Sequence, residues 1–256
     1  MIDLRLEHVS TGYGHGKGYV PVLNDIDLTI PEGSRTAILG ANGSGKTTLL
    51  RTMAGMLPYS GSITLGGTEL KQMKRRAVAS CLSMMMQVSE TYFSYTVRET
   101  VLLGRYVRIH PGHAASSEDL KRVEECLRIT GLLEQAEQPL GALSGGQLQR
   151  VFLARTLAQE TPIILLDEPT NHLDIKVQAD LMDYLNGWSR EPGHTLLGVY
   201  HDINLALAMA DTLVVLKEGR IIAKGSHEEI QAQGALDQAY DLDIRAYMKK
   251  QYERWE

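Results

Sequence analysis

Apolar residues alternate at the start of the chain and run together later. Ile2, Leu4 and Leu6, then Ile26, Leu28 and Ile30, are spaced by polar neighbours. That period of two predicts half-exposed antiparallel strands over residues 2–30. Ser62–Leu65, ahead of Gly66-Gly67, reads the same way. The runs Arg35–Leu39, Ile163–Leu166 and Thr195–Tyr200 fit strands buried on both faces. Strand-helix patterning around 36–54 and 161–210 predicts a parallel core. Between them, over about 90–158, the spacing turns helical. Leu120, Val123 and Leu127 form one stripe, and Leu148, Val151 and Phe152 another. Leu213–Leu216 and Arg220–Ala223 flank Lys217-Glu218-Gly219, a hairpin turn.

From Asp241 onward Ile244, Tyr247, Met248, Tyr252 and Trp255 recur at helical spacing, with Arg245, Lys249, Lys250 and Arg254 between them. Asp241, Asp243, Glu253 and Glu256 dilute that positive charge, so this helix is expected to pack Tyr247, Tyr252 and Trp255 on protein rather than on lipid. The pattern divides the chain into a main unit, 1–233, and a helical tail, 234–256.

Chemistry enters after the strand at Arg35–Leu39. Gly40-Ala41-Asn42-Gly43-Ser44-Gly45-Lys46-Thr47 reads G-x-x-x-x-G-K-T. Its glycines permit a backbone whose amides point inward at phosphate oxygens. Lys46 adds a positive charge near the β- and γ-phosphates, and the Thr47 hydroxyl can ligate Mg2+. Thr48 and the residues to Ala54 continue as a helix, whose N-terminus faces the phosphates. The run Ile163–Leu166 ends in Asp167 and Glu168. Carboxylates at the end of a buried strand emerge at a sheet's carboxyl edge. There Asp167 is a candidate Mg2+ ligand through water, and Glu168 a candidate general base for an attacking water. His201 follows the run Thr195–Tyr200.

These residues, with Leu143-Ser144-Gly145-Gly146-Gln147, resemble the nucleotide-binding subunit of ATP-binding cassette (ABC) transporters, from about Leu4 to about Ile230. The resemblance implies an α/β P-loop NTPase fold, with a parallel β core, an antiparallel β subdomain and an inserted helical subdomain. It implies ATP and Mg2+ as ligands. Ser144, Gly145, Gly146 and Gln147 match the signature loop, which meets the γ-phosphate held by a second copy of the chain. Gln87 matches the loop that senses Mg2+ and the membrane partner. Asn171-His172-Leu173-Asp174 matches the D-loop, so Asp174 belongs to the link between two ATP sites. His201 matches the switch histidine. Tyr13 matches the aromatic that stacks on adenine, but His15–Val20 lengthens this turn and leaves Tyr19 as a substitute.

Composition narrows the setting. The 256 residues are 43% hydrophobic, and no apolar run is long enough to cross a bilayer. The expected place is the cytoplasmic face of the cell membrane, reached through a permease. A net charge of −5 argues against a nucleic-acid-coating surface. Cys81 and Cys126 have no metal-ligand spacing and are expected to be reduced. Tyr95–Tyr106, Thr170–Ile175 and His201–Ala206 resemble importers of iron–siderophore complexes, haem and cobalamin. That resemblance implies membrane permease subunits as partners and, indirectly, an extracytoplasmic substrate-binding protein. Zinc or manganese importers are the nearest transport alternative. Non-transport cassette proteins of DNA repair differ by a long coiled coil, absent here, and ribosome-associated ones by carrying two cassettes.

Overall fold

The computed structural model describes residues 2–85, 95–110, 112–171 and 173–253. In chain order, β1 (Leu4–Tyr13), β2 (Val20–Ile30) and β3 (Arg35–Leu39) lead into α1 (Lys46–Met53), β4 (Ser60–Leu65) and β5 (Thr68–Glu69). Then come α2 (Arg75–Cys81), β6 (Leu82–Met85), α3 (Val97–Leu102), α4 (Ser117–Ile129) and α5 (Gly145–Ala158). The chain returns through β7 (Ile163–Asp167), α6 (Ile175–Ser189), β8 (Thr195–Val199), α7 (Ile203–Met209), β9 (Thr212–Lys217) and β10 (Arg220–Gly225). It closes with α8 (His227–Ala232), α9 (Ala235–Tyr240) and α10 (Ile244–Tyr252).

Two sheets form. An antiparallel one has the order β2-β1-β4-β5, and a larger one the order β10-β9-β3-β8-β7-β6. In the larger sheet β3 pairs in parallel with β8 and β9, and β7 with β6 and β8; β10 joins antiparallel. Its apolar runs are continuous because successive residues face two different cores. Ile38, Ile163, Leu165, Leu197 and Val214 pack toward the antiparallel sheet and α1. Ala37, Leu39, Ile164, Leu166 and Leu196 pack toward α5, α6 and α7. In β1 the alternation breaks between Leu6 and Val9, where the register shifts and His8 takes a positive φ of 50°. Glu218 and Gly219, at φ 48° and 73°, make the tight β9–β10 turn.

The helical segment departs from its expected stripe. Val123 and Leu127 are buried, but Leu120 is exposed and Cys126 takes a core place. Position 119 explains the shift. Asp119 closes a capping box with Ser116 at the start of α4 and turns inward to an arginine. Arg105 Nε donates to Asp119 Oδ1 at 2.8 Å, and Arg105 NH1 donates to the Ala158 carbonyl and to Glu160. Arg122 Nε lies 3.1 Å from Glu160 Oε1. These bonds tie α4 to the end of α5 and the entry to β7.

The tail helix also differs. Ile244 is buried and Met248 packs on the core, whereas Tyr247 and Tyr252 are 48% and 61% exposed. Tyr247 and Tyr252 line a cleft between α10 and His201–Asn204 and so stay partly open to solvent. Trp255 lies outside the described residues. Both cysteines are free, and burial pushes the Cys126 thiol up to about 12. Among the described residues no helix is long and apolar enough to cross a membrane.

Two stability predictions follow from the buried polar groups. Hydrogen bonds from Ser116 and Arg105 hold the Asp119 carboxyl down at about 2. A depressed carboxyl stabilises the fold above its unfolded pKa of about 3.9 and loses that contribution as pH falls through about 2. Asp119→Asn should therefore cost on the order of 2–3 kcal/mol at pH 7, short of a fully orphaned pair because Glu160 still faces Arg105. Denaturant melts should show the gap to wild type shrinking between about pH 4 and about pH 2. Separately, the Tyr200 hydroxyl is buried with no hydrogen-bond partner among the described residues. Tyr200→Phe removes that orphan and should raise stability by about 1 kcal/mol; an unchanged or lowered melting temperature contradicts this.

Candidate nucleotide site

The loop between β3 and α1 closes around its glycines. Gly40 has φ 152°, and a Cβ there would sit 2.2 Å from the Leu216 carbonyl oxygen and 2.8 Å from Ser44 Oγ. Gly45 has φ 104°, with the Leu23 side chain 2.8 Å from its missing Cβ. The β9–β10 turn supports the loop, as the Gly219 amide donates to the Ser44 carbonyl at 3.0 Å. Gly45 caps α1 with no side-chain bond, leaving first-turn amides for an anion. Asn42 and Gly43 form the exposed tip, Ala41 is half-buried, and the Ser44 hydroxyl is buried with no partner among the described residues.

Lys46 is buried, and its Nζ donates to the carbonyls of Gly40 at 2.8 Å and Ala41 at 3.0 Å. Burial pulls its pKa down, while the charges of Glu168 and Asp167 oppose the shift. Across the sheet edge, Thr47 Oγ1 donates to Asp167 Oδ1 at 3.1 Å. The other Asp167 oxygen is buried with no partner among the described residues, and burial raises the carboxyl's pKa. A hydroxyl and an unmatched carboxylate oxygen together suit a hard divalent cation, so these residues fit Mg2+.

Glu168 is held at a φ of 53°, a conformation uncommon for a side-chain-bearing residue. Its amide donates to the Val199 carbonyl at 3.1 Å, and its carbonyl accepts from Gln149 Nε2 at 3.0 Å. One carboxylate oxygen lies 2.5 Å from His201 Nε2, and the other accepts from Asn171 Nδ2. Sheet order explains the meeting. β8 lies between β3 and β7, so the loops leaving all three emerge side by side. Lys46, Thr47, Asp167, Glu168 and His201 thus converge from residues 46 to 201.

Other predicted residues stand apart. Ser144 and Gln147 form a capping box at the exposed start of α5. Among the described residues, no hydrogen bond or ion pair joins Ser144, Gly145, Gly146 or Gln147 to the phosphate loop. Asp174 caps α6 by accepting from the Val177 amide at 3.0 Å. Gln87 and His172 lie outside the described residues. Tyr13 ends β1 against α1, its hydroxyl 3.3 Å from Thr48 Oγ1, while Tyr19 is half-exposed after a short 3-10 turn.

Gln149 and Tyr240 bond directly to this site without having been assigned a role, and Asn171, placed only in the D-loop, does so too. Asn171 grips Glu168, and Gln149 braces the Glu168 backbone from α5. Tyr240 accepts from the Gly40 amide at 3.1 Å. Gln149 had a weak signal, a polar residue between apolar helix positions; Tyr240 had none, being 200 residues away from its partner.

Comparison with known proteins matches this arrangement. The profile of the family described as ABC transporter covers residues 23–171. The ferric enterobactin transport ATP-binding protein FepC of Escherichia coli is 39% identical over 93% of this chain and 87% of its own length. The iron(3+)-hydroxamate import ATP-binding protein FhuC of Bacillus subtilis is 34% identical over 95% and 89%. A dimeric ATP-binding cassette in a post-hydrolysis state, bound to ADP and Pi, superposes with a TM-score of 0.79 at 30% identity, over 87% of this chain and 98% of that one. Because the family profile spans the phosphate loop, the Ser144 loop and the acid pair, and the two relatives span nearly the whole chain, the protein belongs to the ABC transporter family.

Proposed function

We propose that this chain is the ATP-binding and hydrolysing subunit of an importer that takes up an iron–siderophore, haem or cobalamin-type complex. The observation carrying the ATPase reading is the Glu168 carboxylate, fixed by His201 and Asn171 beside the Thr47–Asp167 pair. The iron-complex reading rests on relatives named for ferric enterobactin and iron(3+)-hydroxamate transport. The cargo itself touches no residue of this site.

In this mechanism the loop amides, the Ser44 hydroxyl, the first turn of α1 and Lys46 hold the ATP phosphates, and Tyr13 stacks on the adenine. Thr47, Asp167 and Gln87 hold Mg2+, which neutralises charge on the phosphate oxygens. Glu168 accepts a proton from the attacking water, and Asn171 and His201 aim its two oxygens. His201 also reaches the γ-phosphate. The signature loop, exposed on α5, presents Ser144 and the Gly145 and Gly146 amides to the phosphate on a second copy. Asp174, in the D-loop, lies at the link between the two sites.

The permease docks on a groove of about 750 Å³ between the core and the helical subdomain. Met56, Leu70, Met73, Val78 and Leu103 line it, with Arg155 at its floor. Among the described residues no carboxylate pairs with Arg155, and burial lowers its pKa. An apolar permease helix carrying an acidic residue complements this surface, places the chain at the cytoplasmic face of the membrane and links it indirectly to a binding protein outside.

Glu168→Gln should still bind Mg-ATP, with turnover at least about 100-fold lower, and should accumulate as a dimer. Near-wild-type turnover removes Glu168 from the role of base. Lys46→Ala should weaken nucleotide binding, and Ser144→Arg should spare binding yet block closure. Mixed dimers with one substitution on each chain retain at most one intact site; two active sites in that mixture rule out sharing between copies. Crosslinkers placed at Met73 or Val78 in the assembled transporter should reach the permease. Crosslinks confined to this chain would refute the docking surface.

A further inference from the structure

We propose that Tyr240 is a positioning residue for the phosphate loop, so that the docked C-terminal segment sets how tightly the loop holds nucleotide phosphate. The inference rests on the reading of residues 40–47 as the ATP site.

Gly40 is buried, and its amide is the first beyond the paired part of β3. A buried N–H needs an acceptor, and the Tyr240 hydroxyl oxygen supplies it at 3.1 Å. The same residue's carbonyl accepts from Lys46 Nζ at 2.8 Å. One residue therefore links the tail to the phosphate-binding ammonium. Gly40 has little room to shift, because Leu216 and Ser44 crowd the place of its missing Cβ. Loss of the Tyr240 acceptor would leave the Gly40 N–H buried without its partner, and so loosen the residue whose carbonyl holds the Lys46 ammonium.

Tyr240 is itself anchored. It is the last residue of α9, and Lys217 at the end of β9 donates to the Gln238 carbonyl at 2.6 Å and to Asp241 Oδ1 at 2.8 Å. The Ile244 amide donates to Asp237 Oδ1 at 2.8 Å, which joins α10 to α9. From α10 the Tyr252 hydroxyl donates to Asn204 Oδ1 at 3.4 Å, three positions beyond His201. A cleft of about 530 Å³ separates α10 from His201–Asn204. The segment thus bonds to the loop after β3 and, across this cleft, to the first turn of α7.

Calorimetric titration of the whole chain with Mg-ADP, which turnover does not consume, tests the proposal. Tyr240→Phe keeps the ring and deletes the acceptor. Its dissociation constant should rise about tenfold at unchanged stoichiometry. Tyr247→Phe, an exposed tyrosine on the same tail, should bind as wild type. Amide exchange over residues 40–46 should quicken in Tyr240→Phe, a readout that holds even where the variant is less stable overall. If the wild-type chain takes up no ADP, the nucleotide reading of the loop itself fails. If wild type binds while Tyr240→Phe keeps its dissociation constant and its loop exchange, the inference alone is overturned. Reduced stoichiometry at an unchanged constant marks a folding defect and overturns it as well.

Discussion

Both faces of the sheet β10-β9-β3-β8-β7-β6 are covered, one by the antiparallel sheet and α1, the other by α5, α6 and α7. Polar groups can leave such a sheet only at the strand ends. That constraint decides where chemistry sits. Asp167 is the last residue of β7, Glu168 follows it, and His201 comes two residues after β8. The loop of Gly40 to Gly45 fills the space after β3, where its glycines fold against Leu216 and Leu23. Burial then acts on the charges gathered there, lowering Lys46 and raising Asp167. Phosphate and a divalent cation are the partners that such displaced charges favour.

Glu168 connects this edge to the rest of the molecule. Its strained backbone is braced by Gln149 from the helix that begins at Ser144. One hydrogen bond therefore ties α5 to the backbone of Glu168. The Ser144 end of that helix is exposed, and among the described residues its bonds stay within its own capping box and first helical turn. In the proposed function one copy carries both halves of a catalytic site without joining them, and a second copy would supply the missing half.

The sequence made the strands and the acid pair legible because period and loop chemistry are local properties. Arg35–Leu39 and Ile163–Leu166 read as doubly buried strands and are so. Gly66-Gly67 and Lys217-Glu218-Gly219 marked turns through the backbone they require. Non-local choices escaped. Leu120 was expected inside, but the pull of Arg105 on Asp119 rotated that end of α4. Tyr247 and Tyr252 fitted an apolar stripe, yet they line an open cleft between α10 and the start of α7 and stay exposed. The Gln149 and Tyr240 bonds depend on how separate segments meet, which no spacing along the chain encodes. The resemblance assigned roles to Ser144 and Tyr13 that their own neighbourhoods would not have announced.

The central claim is that one chain is an incomplete catalyst. The most direct measurement is the initial rate of Mg-ATP hydrolysis per chain across a dilution series at saturating nucleotide. If two copies build each site, the rate per chain climbs with protein concentration and levels off once dimers dominate. A rate per chain that stays constant down to the lowest dilution would mean that a single copy suffices, and would contradict the account.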